Sequence, residues 1–109
     1  MKSYNHVTLL GVIKKEPEYN QELKRMILFL EVTRKFKNIE GKAVTDLIEI
    51  IVWNKLAELC DDYLEKNSKV LIEGRLEVNK TEFENGNIIS QLIVTGENVT
   101  FLSPITKGA

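Results

Sequence analysis

An aromatic residue stands among basic residues in the segment RKFKN, at positions 34–38. Phe36 is flanked there by Arg34, Lys35 and Lys37. An aromatic ring can stack on any base, and a cation can contact a phosphate, so this composition favours the binding of a single nucleic-acid strand. The alternative interpretation is an exposed aromatic residue beside a loop.

Trp53, the only tryptophan, ends an alternating apolar run that starts at residue 45. Ile48, Ile50 and Val52 share one face of this run, and Trp53 falls on the opposite face. The alternation therefore predicts that Trp53 points away from the core and could serve as a second stacking platform. A core residue that ends the strand is the alternative.

Three further residues are candidates for the same chemistry. Phe83 precedes the turn signal ENG and could stack a base or pack between subunits. Lys14 follows the first apolar run, and Arg75 follows Gly74 with an outward orientation. Each of these two cations could contact a phosphate or remain an ordinary solvated charge.

Catalysis and metal binding have no support in the sequence. No Ser/His/Asp order, phosphate-binding glycine loop or suitably spaced carboxylate pair is present, and one Cys with one His is too few for an ordinary zinc site. We therefore expect no enzymatic activity, metal or cofactor. The single Cys60 excludes an internal disulfide and suits the cytoplasm. No apolar run approaches the ~20 residues that cross a bilayer, so we expect no membrane association.

Charge is unevenly distributed along the chain. The net charge is −1, but residues 1–45 carry nine Lys and Arg against five Asp and Glu. The remainder is acidic. A positive strip on an acidic protein is therefore possible, with modest electrostatic steering.

Periodicity predicts five strands and one helix that position these side chains. The strands are predicted at 6–13, 26–36, 45–53, 69–83 and 88–102, and the helix at 55–65. Residues 14–24 are predicted as a loop because Pro17 cannot donate a strand hydrogen bond. Asn54 is predicted to cap the start of the helix, and Asn67 to adopt the left-handed conformation where the helix stops.

Two glycines interrupt the long strands. Gly74 predicts a bend or a close backbone approach, and Gly96 a bulge. The inward face of the strand at 69–83 is predicted to consist of Val70, Ile72, Leu76 and Val78. The order of the elements, three strands, a helix and a long hairpin, is typical of the OB-fold, a five-stranded partly open barrel. We expect this mainly β domain to span residues 1–103, followed by a short remnant at 104–109.

The segment VWNKLAE…YLEKNSKVLIEGRL combines strand end, helix, helix stop and glycine-bent strand in one register. With NHVTLLGVIKKEPEY, RKFKN and ENVTFL, it resembles the bacterial single-stranded DNA-binding protein family over about residues 5–102. The resemblance implies an OB-fold homotetramer (a dimer being the alternative) that stacks the bases of single-stranded DNA on aromatic rings. Phe36 and Trp53 match stacking aromatics of the family, and Arg34, Lys35 and Lys37 match its basic neighbours.

Some positions depart from the family pattern. Leu47 and Thr81 stand where the family usually has aromatic residues, although Phe83 could substitute for the second. Asn79 replaces a common arginine, and Glu49 introduces a carboxylate that should repel phosphate. These departures bear on affinity and not on the fold.

The last residues, FLSPITKGA, lack the acidic tip with which family members recruit replication and repair proteins. Recruitment by that route is therefore not expected. The first hypothesis is sequence-independent binding of single-stranded DNA in replication, recombination or repair, in the cytoplasm of a bacterium or in a phage or plasmid context. The alternative is an OB-fold adaptor of the primosomal replication protein type, which acts through protein contacts and binds DNA weakly.

Overall fold

The computed structural model describes residues 2–104 and contains six strands and one helix. All but one of them follow the predicted elements, because alternating apolar residues can bury one face of a strand. The elements are β1 (Val7–Ile13), β2 (Glu18–Asn20), β3 (Arg25–Thr33), β4 (Thr45–Trp53), α1 (Asn54–Tyr63), β5 (Lys69–Glu82) and β6 (Ile88–Phe101). The predicted remnant at 104–109 lies outside the described residues except for Pro104.

Five of the strands form a closed ring. Their order is β1-β5-β6-β4-β3, and β1 also pairs with β3 at Val12 and Ile13, which closes the barrel. All pairs are antiparallel except β4 with β6. With the helix between β4 and β5, this is the mainly β OB-fold that the sequence predicted.

The sixth strand was not predicted. β2 lies within the segment assigned to a loop, and it pairs with the start of β3 as a three-residue extension of the sheet. Pro17 immediately precedes it and stays outside the ladder. A strand this short carries too little alternation to be detected from sequence.

The core fills the barrel from β3, β4 and β5. Met26, Leu28 and Leu30 of β3 are buried against Ile50 and Val52 of β4, as the alternation predicted. Ala57 and Cys60 of the helix cover one end of this core together with Leu64, which directly follows the helix, while Leu59 and Tyr63 on the helix are partly exposed. Burial raises the pKa of the Cys60 thiol to about 12, so the reactive thiolate is rare at neutral pH.

Two asparagines flank the helix in the left-handed region. Asn67 has φ +77°, as predicted. Asn54 does not cap the helix with its side chain, which corrects the prediction: the N-cap position is Trp53, without a side-chain hydrogen bond. Asn54 has φ +55° instead, and its N–H donates to the carbonyl of Lys24 at 2.7 Å. Asparagine tolerates this conformation better than most residues, which explains its presence at a sharp strand–helix junction.

The long hairpin of β5 and β6 leaves the barrel beyond Gly74. A bulge opens between Glu73 and Gly74, where β5 approaches β6 closely, as predicted for this glycine. Leu76 and Val78 were predicted to face inward, but they are exposed, Val78 to 59%. The alternation continues past the bend, but no core lies opposite this part of the ribbon, so the prediction of burial was wrong.

Candidate nucleic-acid interface

One face of β3 and β4 points away from the barrel core and carries the predicted platform Trp53. Residues directly opposite each other in an antiparallel pair share a face, so the ladder of β3 and β4 defines this surface. We call it the outer face; it consists of Arg25, Ile27, Phe29, Glu31 and Thr33 on β3, and Thr45, Leu47, Glu49, Ile51 and Trp53 on β4.

Trp53 lies at one end of the outer face. Its side chain is 43% exposed, whereas its strand neighbour Val52 is fully buried. The position at the strand end, next to the left-handed Asn54, keeps the indole at the surface beside the start of the helix. An exposed indole anchored by a rigid strand is suited to stacking on a flat ligand.

Phe36 lies in the loop at the other end of the outer face. Thr45, where this loop joins β4, and Trp53 are eight positions apart along the strand, which corresponds to about 27 Å. Phe36 is 81% exposed. The loop is held by the N–H of Arg34, which donates to the carbonyl of Val44 at 2.8 Å.

Phe83 lies on a different hairpin from the other two predicted stacking residues, Trp53 and Phe36. It opens the turn between β5 and β6, and its carbonyl accepts from the N–H of Gly86 at 2.9 Å. The ring is 48% exposed. The structure therefore brings Trp53 and Phe36 to the two ends of one face, while Phe83 belongs to a separate hairpin.

Arg34, one of the predicted phosphate contacts, is paired with a carboxylate. Its Nε and Nη2 donate to the two carboxylate oxygens of Asp46, both at 2.9 Å. This bidentate hydrogen bond lowers the pKa of Asp46 and raises the pKa of Arg34. This ion pair joins the two ends of the loop that carries Phe36.

Two other predicted cations are also paired. The Nζ of Lys14 lies 3.3 Å from the Oε2 of Glu31. The Nη2 of Arg75 lies 2.7 Å from the Oε1 of Glu77, and its Nη1 lies 3.1 Å from the Oε2 of Glu97.

The two remaining cations, Lys35 and Lys37, are exposed on either side of Phe36. Neither has a carboxylate partner within residues 2–104. Of the five predicted phosphate contacts, these two carry the least compensated charge.

Sequence reasoning missed two pairs in which a cation lies against an aromatic ring of the outer face. The ammonium of Lys15 lies 4.9 Å from the centroid of the Phe29 ring, and the guanidinium of Arg25 lies 6.0 Å from that of Trp53. Both distances fall within the range of cation–π interactions. No local motif marks either pair, because each joins residues that are distant in the sequence: Lys15 lies in the loop after β1 and Phe29 on β3, while Arg25 lies on β3 and Trp53 on β4.

Within residues 2–104, no group of three or more His, Cys, Asp or Glu side chains is placed to hold a metal ion. No helix in the same part of the chain is long and apolar enough to cross a membrane.

The chain is similar along most of its length to proteins that bind single-stranded DNA. The model of the single-strand binding protein family matches residues 4–102. The chain is 34% identical over 107 residues to the single-stranded DNA-binding protein of Bacillus cereus, which covers 95% of this chain and 63% of that protein. It is 33% identical to single-stranded DNA-binding protein A of Bacillus subtilis, over 95% of this chain and 62% of that protein. The chain thus spans less than two thirds of these relatives.

Solved structures share the fold. A Plasmodium falciparum SSB in complex with single-stranded DNA superposes with a TM-score of 0.79 at 24% identity, covering 94% of this chain and 98% of that one. A small single-stranded DNA-binding protein from Streptomyces coelicolor superposes with a TM-score of 0.66 at 17% identity, covering 88% of this chain and 92% of that one.

Proposed function

Because the chain belongs to the single-strand binding protein family, we propose that it binds single-stranded DNA without regard to base sequence. The observation that carries the proposal is the outer face, with exposed Trp53 at one end and exposed Phe36 at the other. Every base has a π-face, so rings placed in this way bind bases with little discrimination. The role we infer is the covering of exposed strands during replication, recombination and repair, in the bacterial cytoplasm where such strands arise.

The proposed contacts divide into stacking and charge. Trp53, Phe36 and, on the separate hairpin, Phe83 stack bases. Lys35 and Lys37 contact phosphates first, because no carboxylate compensates their charge within the described residues. Arg34, Arg75 and Lys14 contribute where a phosphate displaces the paired carboxylate, an exchange that costs little because exposed ion pairs are weak.

A fluorescence titration tests the proposal. Trp53 is the only tryptophan, so oligo-dT should quench the emission of one defined site per chain. The association constant should fall as salt rises, with a slope of log K against log salt of roughly 0.7 per phosphate contacted. A duplex of equal length serves as the control and should bind more weakly. Neither quenching nor a shift in an independent mobility assay at low salt would refute the proposal.

The ion pairs favour a second candidate function. Carboxylates compensate three of the five predicted cations, and Glu49 adds a negative charge to the outer face. A surface of this kind suits an adaptor that acts through protein contacts. That function predicts weak or undetectable binding in the same titration.

We further propose that four copies assemble, and the hairpin of β5 and β6 supports this. A two-stranded ribbon is marginally stable alone in water, yet this one exposes Leu76, Val78 and Leu92. Leu76 and Leu92 also line an apolar groove with Val7 and Leu9 of β1. A second copy of the chain would cover both surfaces at once.

Light scattering of the purified protein measures the assembly directly. The expected mass is four times the 12.5 kDa of one chain. Replacing Val78 with Asp should shift the mass downward, because a carboxylate in the covered surface would be buried without a partner. A dimer, which the adaptor function predicts, or a monomer would contradict the tetramer.

A further inference from the structure

Three side chains form a row across three neighbouring strands at the Trp53 end of the outer face. Arg25 is the first residue of β3, and it pairs with Trp53 of β4 on one side and with Asn20 of β2 on the other. Directly paired residues project on the same side of the sheet. The row therefore places an amide, a guanidinium and an indole next to one another.

The guanidinium of Arg25 has no hydrogen-bond partner among residues 2–104. Its Nε is buried and has no acceptor, and no carboxylate pairs with Arg25 within residues 2–104. Arg34 and Arg75 differ in this respect, because each is held by one or two carboxylates. A buried N–H without an acceptor is unfavourable, so this position calls for a ligand that accepts hydrogen bonds.

The surface beside Arg25 is open and polar. Glu18, Asn20 and Glu22 line a depression together with Arg25. The Oδ1 of Asn20 accepts from the N–H of Leu23 at 3.0 Å, which fixes the amide and leaves its Nδ2 as a donor. The carboxylates of Glu18 and Glu22 repel an anion at this place, so an anionic ligand has to bind despite this repulsion.

We propose that Asn20, Arg25 and Trp53 form one nucleotide subsite. The base stacks on Trp53, and the adjacent phosphodiester accepts hydrogen bonds from Arg25 and from the Nδ2 of Asn20. Arginine suits this role because its planar fork donates two parallel hydrogen bonds to phosphate and can also lie against an aromatic ring. The subsite rests on the proposed binding of single-stranded DNA and adds Arg25 to the residues that contact phosphate.

The salt dependence of oligo-dT binding tests the subsite. Arg25→Gln should weaken binding roughly tenfold at low salt, in line with a lost charge-assisted hydrogen bond. It should also reduce the slope of log K against log salt by about 0.7, the contribution of one phosphate. Lys66→Gln removes the same charge from an exposed position beyond the helix and should leave the slope unchanged.

Two further variants separate ligand contact from structural support. Arg25→Lys keeps the charge, so the salt slope should stay while the affinity falls severalfold through the loss of the planar fork. Glu18→Gln removes an exposed opposing carboxylate and should tighten binding about twofold to fivefold, the change expected for a surface charge. If Arg25 only supported the fold and contacted no phosphate, the Glu18→Gln variant would not bind oligo-dT more tightly.

The outcomes distinguish the two proposals. If the wild-type protein binds no oligo-dT, the proposed function fails. If the wild type binds and Arg25→Gln keeps its affinity and its salt slope, the subsite is wrong while the function stands. If Arg25→Gln does not fold, unchanged affinity in both Arg25→Lys and Glu18→Gln overturns the subsite in the same way.

Discussion

Trp53→Ala is expected to weaken the binding of oligo-dT by about 1–3 kcal/mol, which corresponds to a loss between roughly fivefold and 150-fold. The reason is that the indole is the largest exposed ring on the outer face, and it is held by a rigid strand end. The fold should survive, because the core side of β4 is formed by Ile50 and Val52, which are fully buried.

Fluorescence anisotropy of labelled oligo-dT measures this loss, since the variant lacks its own reporter. Tyr4→Ala is the matched control: Tyr4 is an exposed aromatic residue ahead of β1 and outside the outer face, so its removal should not change the affinity. Circular dichroism verifies that Trp53→Ala is folded. Unchanged affinity in a folded variant would show that Trp53 does not stack a base, and an unfolded variant would assign it to the core.

Strand alternation was enough to predict the faces of β3 and β4. Ile50 and Val52 are buried and Trp53 is exposed, as the two-residue period requires. The helix was predicted for a similar reason, because apolar residues recur every two positions in the preceding strand and every three to four positions in the helix. These signals are local, so they appear in one short window of sequence.

Two of the ion pairs, Arg34–Asp46 and Arg75–Glu97, could not be predicted because they depend on the register between segments that are distant in the sequence. Arg34 and Asp46 are 12 residues apart and meet because the intervening loop folds back on itself. Arg75 and Glu97 are 22 residues apart and meet across the β5–β6 ladder. A cation in the sequence therefore shows that charge is available, but not whether the fold has already neutralised it.

The same limit explains two other differences. Alternation assigned Leu76 and Val78 to one side of β5, but it could not show that the hairpin leaves the core behind. The predicted strand began at residue 26, which excluded Arg25 and hid its pairing with Trp53. One residue at a strand boundary, the least certain part of any sequence-based assignment, thus decided whether the Arg25 subsite could be anticipated.

Gly74→Ala is expected to lower the free energy of unfolding by about 3 kcal/mol, the upper part of the range for overpacking a buried position. A Cβ atom at this residue would overlap the carbonyl oxygen of Thr95 and approach the Cα of Gly96 to 3.1 Å. Both contacts are with the backbone of β6, which cannot rotate away as a flexible side chain can. Relief would require the two longest strands to separate at the bulge.

Urea unfolding followed by Trp53 fluorescence measures this change. Thr100→Ala is a suitable control because it alters an exposed residue of β6 without touching the core, and it should stay within about 0.5 kcal/mol of the wild type. The hairpin that carries Phe83 departs from the barrel at Gly74, so the loss of stability should be accompanied by weaker oligo-dT binding. Wild-type stability in Gly74→Ala would mean that β5 and β6 can separate there at little cost, and that glycine does not fix where the hairpin leaves the barrel.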